Sequence, residues 1–227
     1  MMAVRNTVAC VIYDLDGLLL DTEPFYTEAS QRIASRYGKV FDWSVKSGMI
    51  GKRAQDSARV FTESLGLPIT PEEYLEARQA VLEELFPKAE PMPGAVRLTE
   101  HFHRHGVPQA VATSSDQRHF ALKTSRHQQW FRIFDCIVIG DDPAVRRGKP
   151  APDIFLLAAV RLGIPAAHCL VFEDSPVGVA AARAAGMSVI AVPDAHLKPE
   201  VFQAAGQILR SLNEFDPAAW GLPPYQK

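Results

Sequence analysis

Two aspartates one residue apart, Asp14 and Asp16, close an apolar run that extends from Val8 to Tyr13, and Gly17 follows at once. A carboxylate can attack phosphorus to form an aspartyl-phosphate, and a second carboxyl group beside it can carry the leaving-group proton. An extended chain turns alternate side chains to one face, so this spacing lets both carboxylates point together. Taken alone, the pair also reads as two aspartates capping a turn. A calcium loop fits worse, because Gly17 stands fourth counted from Asp14 rather than sixth, with no bidentate glutamate at the matching place.

Three further strings carry groups suited to a phosphate. ATSSD, Ala112 to Asp116, follows an apolar run. There Thr113 offers a hydroxyl and Ser114 a backbone N–H, although the string also reads as the N-cap of a following helix. RRGKPAPDIF places Lys149 between Gly148 and Pro150 just before a helical pattern, where an ammonium can neutralise a transferring phosphoryl group or stand as a solvated charge. In VFEDSPVGVAAARAAG, Glu173 and Asp174 end an apolar run and offer the hard oxygens that Mg²⁺ prefers, with capping of the next helix as the rival reading. Four acids in one cleft repel and raise one another's pKa, so Asp14, Asp16, Glu173 and Asp174 together call for a divalent cation and Lys149.

Positioning these groups requires strands that end at one edge. Five apolar runs read as central strands: Val8 to Tyr13, Gln109 to Ala112, Cys136 to Ile139, Leu170 to Phe172 and Ser188 to Val192. Helical patterns alternate with the later ones, at Ala95 to His105, Ile154 to Leu162 and Val177 to Ala185, the last with Ser175 as N-cap and Pro176 at N1. The expected fold is therefore α/β, a Rossmann-like parallel sheet with helices on both faces. Between the first two runs lie roughly 70 residues of amphipathic helical pattern, near Pro24 to Tyr37, Arg53 to Leu65 and Pro71 to Phe86, too long for a simple crossover. An inserted all-helical module over residues 22–91 is expected, with residues 1–21 and 92–227 forming the core domain.

The 227 residues are 47% hydrophobic and 22% charged, with a formal net charge of −2. That balance suits a folded globular chain and lacks the basic footprint of a nucleic-acid binder. The longest apolar runs fall short of the roughly 18 residues that span a bilayer, and the amino terminus lacks a basic, then apolar, secretory pattern, so a cytoplasmic protein without a membrane partner is expected. Cys10, Cys136 and Cys169 read as buried free thiols. His101, His103 and His105 lie about 200° apart in succession on a helix, which rules out one shared ion and suggests a solvated helix end. Asp141 and Asp142 suit a turn as well as a cleft. The tail AAWGLPPYQK is expected to run extended, with Trp220 and Tyr225 packing on the core.

The four strings, in this order, resemble the motifs of the haloacid dehalogenase superfamily, most closely its capped phosphatases, over Val8 to about Val192. The long insertion is similar to that superfamily's helical cap. DLDGLLLDTE, LKTSRH, GDDP, GKPAPDIF, VFEDSPVGV and WGLPPY resemble the pseudouridine-5'-phosphatase group, itself similar to certain glycerol-3-phosphatases. The resemblance implies that Asp14 is the nucleophile and Asp16 the acid/base. It implies Mg²⁺ on the Asp14 carboxylate, the Asp16 carbonyl and Asp174, with Glu173 nearby or acting through water. It also implies phosphoryl oxygens held by Thr113, Ser114 and Lys149. GMIGKR, Gly48 to Arg53, resembles the loop such enzymes lower over a substrate, which makes Lys52 a candidate for the leaving group; it also reads as a helix-start lysine. The implied activity is hydrolysis of a small phosphorylated metabolite, pseudouridine 5'-phosphate or a sugar or polyol phosphate. A phosphomutase of the β-phosphoglucomutase type and a non-catalytic phosphometabolite-binding protein are the alternatives, and the oligomeric state is left open, a monomer included.

Overall fold

The computed structural model describes residues 7–49 and 54–226. Strand β1, Cys10–Tyr13, has every side chain buried, as a strand covered on both faces must. Four helices follow: α1 (Glu23–Ser35), α2 (Trp43–Met49), α3 (Ala54–Leu65) and α4 (Pro71–Leu85). The chain then forms α5 (Ala95–Arg104), β2 (Gln109–Ala112), α6 (Gln117–Thr124), α7 (Gln128–Phe131), β3 (Cys136–Val138), α8 (Asp153–Leu162), β4 (Cys169–Glu173), α9 (Pro176–Ala184), β5 (Ser188–Ala191) and β6 (Gln207–Ile208).

The strands form one sheet in the order β3-β2-β1-β4-β5-β6, every neighbouring pair parallel. The order reverses between β1 and β4, and ligands collect in the crevice beyond the carboxyl ends of strands at such a switch point. Register matters here. Tyr13 lies opposite Phe172 across the β1–β4 pair, so Asp14 and Glu173 leave the sheet side by side, and the Asp14 N–H donates to the Phe172 carbonyl at 3.0 Å.

Because side chains alternate across a strand, the two faces have separate cores. On one, Ile12, Ala112, Val171 and Val189 pack with Ile154 and Phe155 of α8 and Val179 and Ala182 of α9. On the other, Tyr13 stacks on Phe172 with ring centroids 5.5 Å apart, and Phe134 and Phe215 pack edge-on against them. Phe102 of α5 meets Phe215 on that side. Gln109 ties the layers together, accepting from Tyr13 Oη at 3.0 Å and donating from Nε2 to the Thr99 carbonyl of α5 at 3.0 Å.

The chain divides into two compact units, one running to Asp21 and resuming at Glu90, the other Thr22–Ala89. The resumption comes two residues earlier than the sequence pattern suggests. The Asp21 N–H donates to the Glu90 carbonyl at 2.9 Å, the Met92 N–H to the Leu19 carbonyl at 2.9 Å, and Leu20 and Pro91 form an antiparallel bridge. Those bonds hold Glu90 and Pro91 in the sheet-bearing unit. Within Thr22–Ala89, α1 to α4 enclose their own core of Ile33, Ala34, Phe41, Ala58, Phe61 and Tyr74, with the Phe61 and Tyr74 rings stacked at 4.0 Å. Thr70 and Glu73 form a reciprocal capping box at the start of α4. Among the described residues no helix is long and apolar enough to cross a membrane.

Candidate active site

Asp14, the first residue past β1, is 6% exposed. Its Oδ1 lies 2.5 Å from Nζ of Lys149, and the same ammonium sits 2.5 Å from Glu173 Oε1 and 3.2 Å from the Ala112 carbonyl at the end of β2. One lysine thus joins the ends of β1, β2 and β4. Its side chain is 6% exposed and lies over the Phe155 ring, so the charge is held out of bulk water. Glu173 is also bound on its second oxygen, Oε2, by the Ser175 N–H at 3.1 Å and the Ser175 hydroxyl at 2.9 Å. Ser175 in turn accepts from the Gly178 N–H at 3.1 Å, capping α9 as its sequence suggests. The side chain that caps α9 is therefore that of Ser175.

Asp14, Glu173 and Asp174 each bring a carboxylate oxygen to within 4.8 Å of the others. Asp14 and Glu173 share one ammonium, that of Lys149. Burial raises the pKa of Asp14 most, Lys149 opposes the rise, Glu173 and Asp16 add to it, and the result is about 7. Burial by itself would push the Lys149 ammonium down, but Asp14 and Glu173 outweigh it and hold the lysine above its ordinary value. The cluster of hard carboxylate oxygens fits a small divalent cation such as Mg²⁺. Two glycines give the carboxylates their room. A Cβ on Gly17, whose φ is +74°, would meet Asp174 Oδ2 at 2.5 Å, and one on Gly178 would run into the Glu173 carboxylate.

Asp16 belongs to a neighbouring network. Its carboxylate turns to Ser115 and Lys123, with Ser115 Oγ 2.9 Å from Oδ2 and Lys123 Nζ 2.6 Å from Oδ1. Thr113 is fully buried just past β2, and its hydroxyl accepts from the Ser115 N–H at 3.0 Å, a compact turn that leaves Ser114 exposed. Asp116 caps α6, accepting from the His119 N–H at 2.8 Å. The ATSSD string therefore serves as both turn and cap. Lys52 lies outside the described residues, while Gly48 of the same string sits inside α2. Asp141 accepts from the Gln117 N–H and Asp142 pairs with Arg161 at 2.6 Å, so both tie loops together.

Sequence reading overlooked Ser115 and Lys123. The available signal was weak: a serine beside two better-placed hydroxyl residues, and a lysine on a helix face. It also misjudged His101. That residue is only 4% exposed, with Nε2 2.8 Å from the Pro223 carbonyl and its ring against Tyr225. The tail, 122 residues away in sequence, covers what would otherwise be a solvated helix end. Cys10 and Cys169 are buried free thiols as expected, and Cys136 is half-buried.

Known proteins resemble this chain in sequence and in fold. Residues 8–186 match the model of the haloacid dehalogenase-like hydrolases. The chain is 47% identical over 229 residues to (DL)-glycerol-3-phosphatase 2 of Arabidopsis thaliana, covering 99% of this chain and 95% of that one. It is 45% identical over 225 residues to a Drosophila melanogaster protein named "Probable pseudouridine-5'-phosphatase", covering 98% and 97%. Its fold is similar to a HAD family hydrolase from Deinococcus radiodurans, crystallised with bound phosphate and sodium, at a TM-score of 0.80 and 24% identity, covering 96% and 99%. With a family model spanning most of its length and relatives at this identity over nearly all of it, the chain belongs to the haloacid dehalogenase-like hydrolases.

Proposed function

We propose that this hydrolase is a Mg²⁺-dependent phosphatase of a small phosphomonoester, working through an aspartyl-phosphate on Asp14. The observation that carries the reading is the cluster at the switch point: Asp14 at the end of β1, sharing Lys149 with Glu173 and, with Asp174, presenting three close carboxylate oxygens. A phosphate ester needs positive charge and fixed donors around a loose transition state, and this end of the sheet supplies both.

In the first half-reaction an Asp14 carboxylate oxygen attacks phosphorus in line, and the bond from phosphorus to the leaving oxygen breaks. Asp16 gives its proton to that oxygen. In the second, the Asp16 carboxylate takes a proton from water, whose oxygen attacks phosphorus, and the bond to Asp14 breaks to release phosphate and restore the carboxylate. The Lys149 ammonium, the Thr113 hydroxyl and the Ser114 N–H hold the phosphoryl oxygens. Asp14, the Asp16 carbonyl and Asp174 would hold Mg²⁺, and Glu173, engaged on both oxygens, would act on it through water. Bound there, the cation would neutralise charge on the transferring group.

The names of the relatives point to a polyol or a nucleoside as the leaving group. The test is phosphate release from a panel of glycerol, sugar and nucleoside phosphates, pseudouridine 5'-phosphate included, with Mg²⁺ and with chelator. Release that chelator abolishes, ranked by kcat/KM, is the expected result and identifies the substrate. Release indifferent to chelator contradicts the metal assignment. Isomerisation of a sugar phosphate with little phosphate freed would show a phosphomutase instead.

A further inference from the structure

The carboxylate of Asp16 is held by a closed ring of three side chains with one consistent donor order. Lys123 Nζ donates to Asp16 Oδ1 at 2.6 Å and to Ser115 Oγ at 2.8 Å, and the Ser115 hydroxyl donates to Asp16 Oδ2 at 2.9 Å. The lysine side chain is 2% exposed, whereas that of Asp16 is 24% exposed. Lysines are rarely this buried, and the ammonium is desolvated only where a charged partner receives it. Both holders are themselves fixed. Lys123 stands in the last turn of α6, whose first turn Asp116 caps. Ser115 is pinned on its backbone from two sides, by Thr113 Oγ1 on its N–H at 3.0 Å and by the Gly140 N–H on its carbonyl at 2.8 Å.

We propose that Lys123 is a positioning residue which, with Ser115, sets the orientation from which Asp16 exchanges protons with the leaving group and with water. The assignment rests on the reading of Asp16 as the acid/base. A carboxylate on a loop otherwise samples several rotamers, and only a narrow range brings it in line with the departing oxygen. A helix-borne ammonium and a turn-borne hydroxyl, one on each carboxylate oxygen, select one of them.

The test is a double-mutant cycle on steady-state kinetics, with glycerol phosphate and p-nitrophenyl phosphate as probes. Lys123→Met is expected to lower kcat on glycerol phosphate about 10- to 100-fold with KM within about threefold, because alignment is lost while binding is kept. On p-nitrophenyl phosphate, whose aryl oxide departs without a proton, the loss is expected to be smaller. In an Asp16→Asn background, adding Lys123→Met is expected to change kcat by less than about threefold, since the lysine acts through a group already removed. A structural role that leaves proton transfer by Asp16 untouched predicts equal losses on the two substrates, and a role of Lys123 that bypasses Asp16 predicts equal losses in both backgrounds; either result overturns the proposal, as does a wild-type kcat in Lys123→Met. A wild-type kcat in Asp16→Asn overturns instead the acid/base reading beneath it. If Lys123→Met does not fold, as its melting curve will tell, Ser115→Ala runs the same cycle from the other holder, with the same non-additivity expected and additivity as the refuting result.

Discussion

Asp14 is asked to be buried, negative and close to other acids at once, and a single lysine shared with Glu173 does not satisfy both. Its pKa near 7 lies above the ordinary carboxylate value, so between about pH 4 and 7 the folded state holds a proton that the unfolded state has lost. The contribution of this group to stability is thus full below pH 4 and is lost as pH rises through 7. A bound cation needs the ionised carboxylates and offsets their repulsion. The rise in melting temperature on adding Mg²⁺ is therefore expected to be larger at pH 8 than at pH 5; equal shifts would contradict the cluster's role. Lys149→Met should show the same asymmetry in urea unfolding. At pH 8 it strands two buried carboxylates and should cost about 3–5 kcal/mol, whereas at pH 5 Asp14 can protonate and the loss should be smaller. The meeting of Asp14, Lys149 and Glu173 was legible in the sequence, because each stands at a strand end or just before a helix. Lys123 was not, since its meaning comes from a carboxylate 107 positions earlier that no local pattern connects to it.

At the scale of elements, the site depends on β1 and β4 ending in register and on α9 starting immediately. Gly178 lets the first turn of α9 lie against Glu173. Gly178→Ala should push that carboxylate aside, lowering stability by about 1–3 kcal/mol in urea unfolding and reducing kcat together with it. An unchanged kcat would mean that Glu173 is not needed where it stands. The five central strands could be read from apolar runs, since a strand buried on both faces leaves that mark. β6 could not: it is two residues long, at the sheet edge, and includes Gln207. The seven-residue α2 was hidden likewise, being too short to show a period. His101 shows the reverse failure, a helix-end pattern read correctly as geometry and wrongly as exposure, because a proline-rich tail from the far end of the chain lies over it.

The whole molecule is a sheet-bearing unit interrupted by a helical one, and the interruption is clean. Asp21 and Glu90 are joined backbone to backbone at 2.9 Å, so a short turn could replace everything between them. With residues 22–89 exchanged for a Gly-Asn turn, the remaining chain should keep a cooperative melt and Mg²⁺-dependent stabilisation, yet lose its ranking among phosphate esters, if the inserted unit supplies selectivity. A retained ranking would locate selectivity in the sheet-bearing unit. The central claim, that Asp14 becomes phosphorylated, has a more direct test. Protein quenched in acid during turnover of its preferred ester with Mg²⁺, then digested and weighed by mass spectrometry, should carry the mass of one phosphoryl group on the peptide containing Asp14. Asp14→Asn should carry none and release no phosphate. Turnover that persists in Asp14→Asn, or a phosphoryl group found on another residue, would contradict the account.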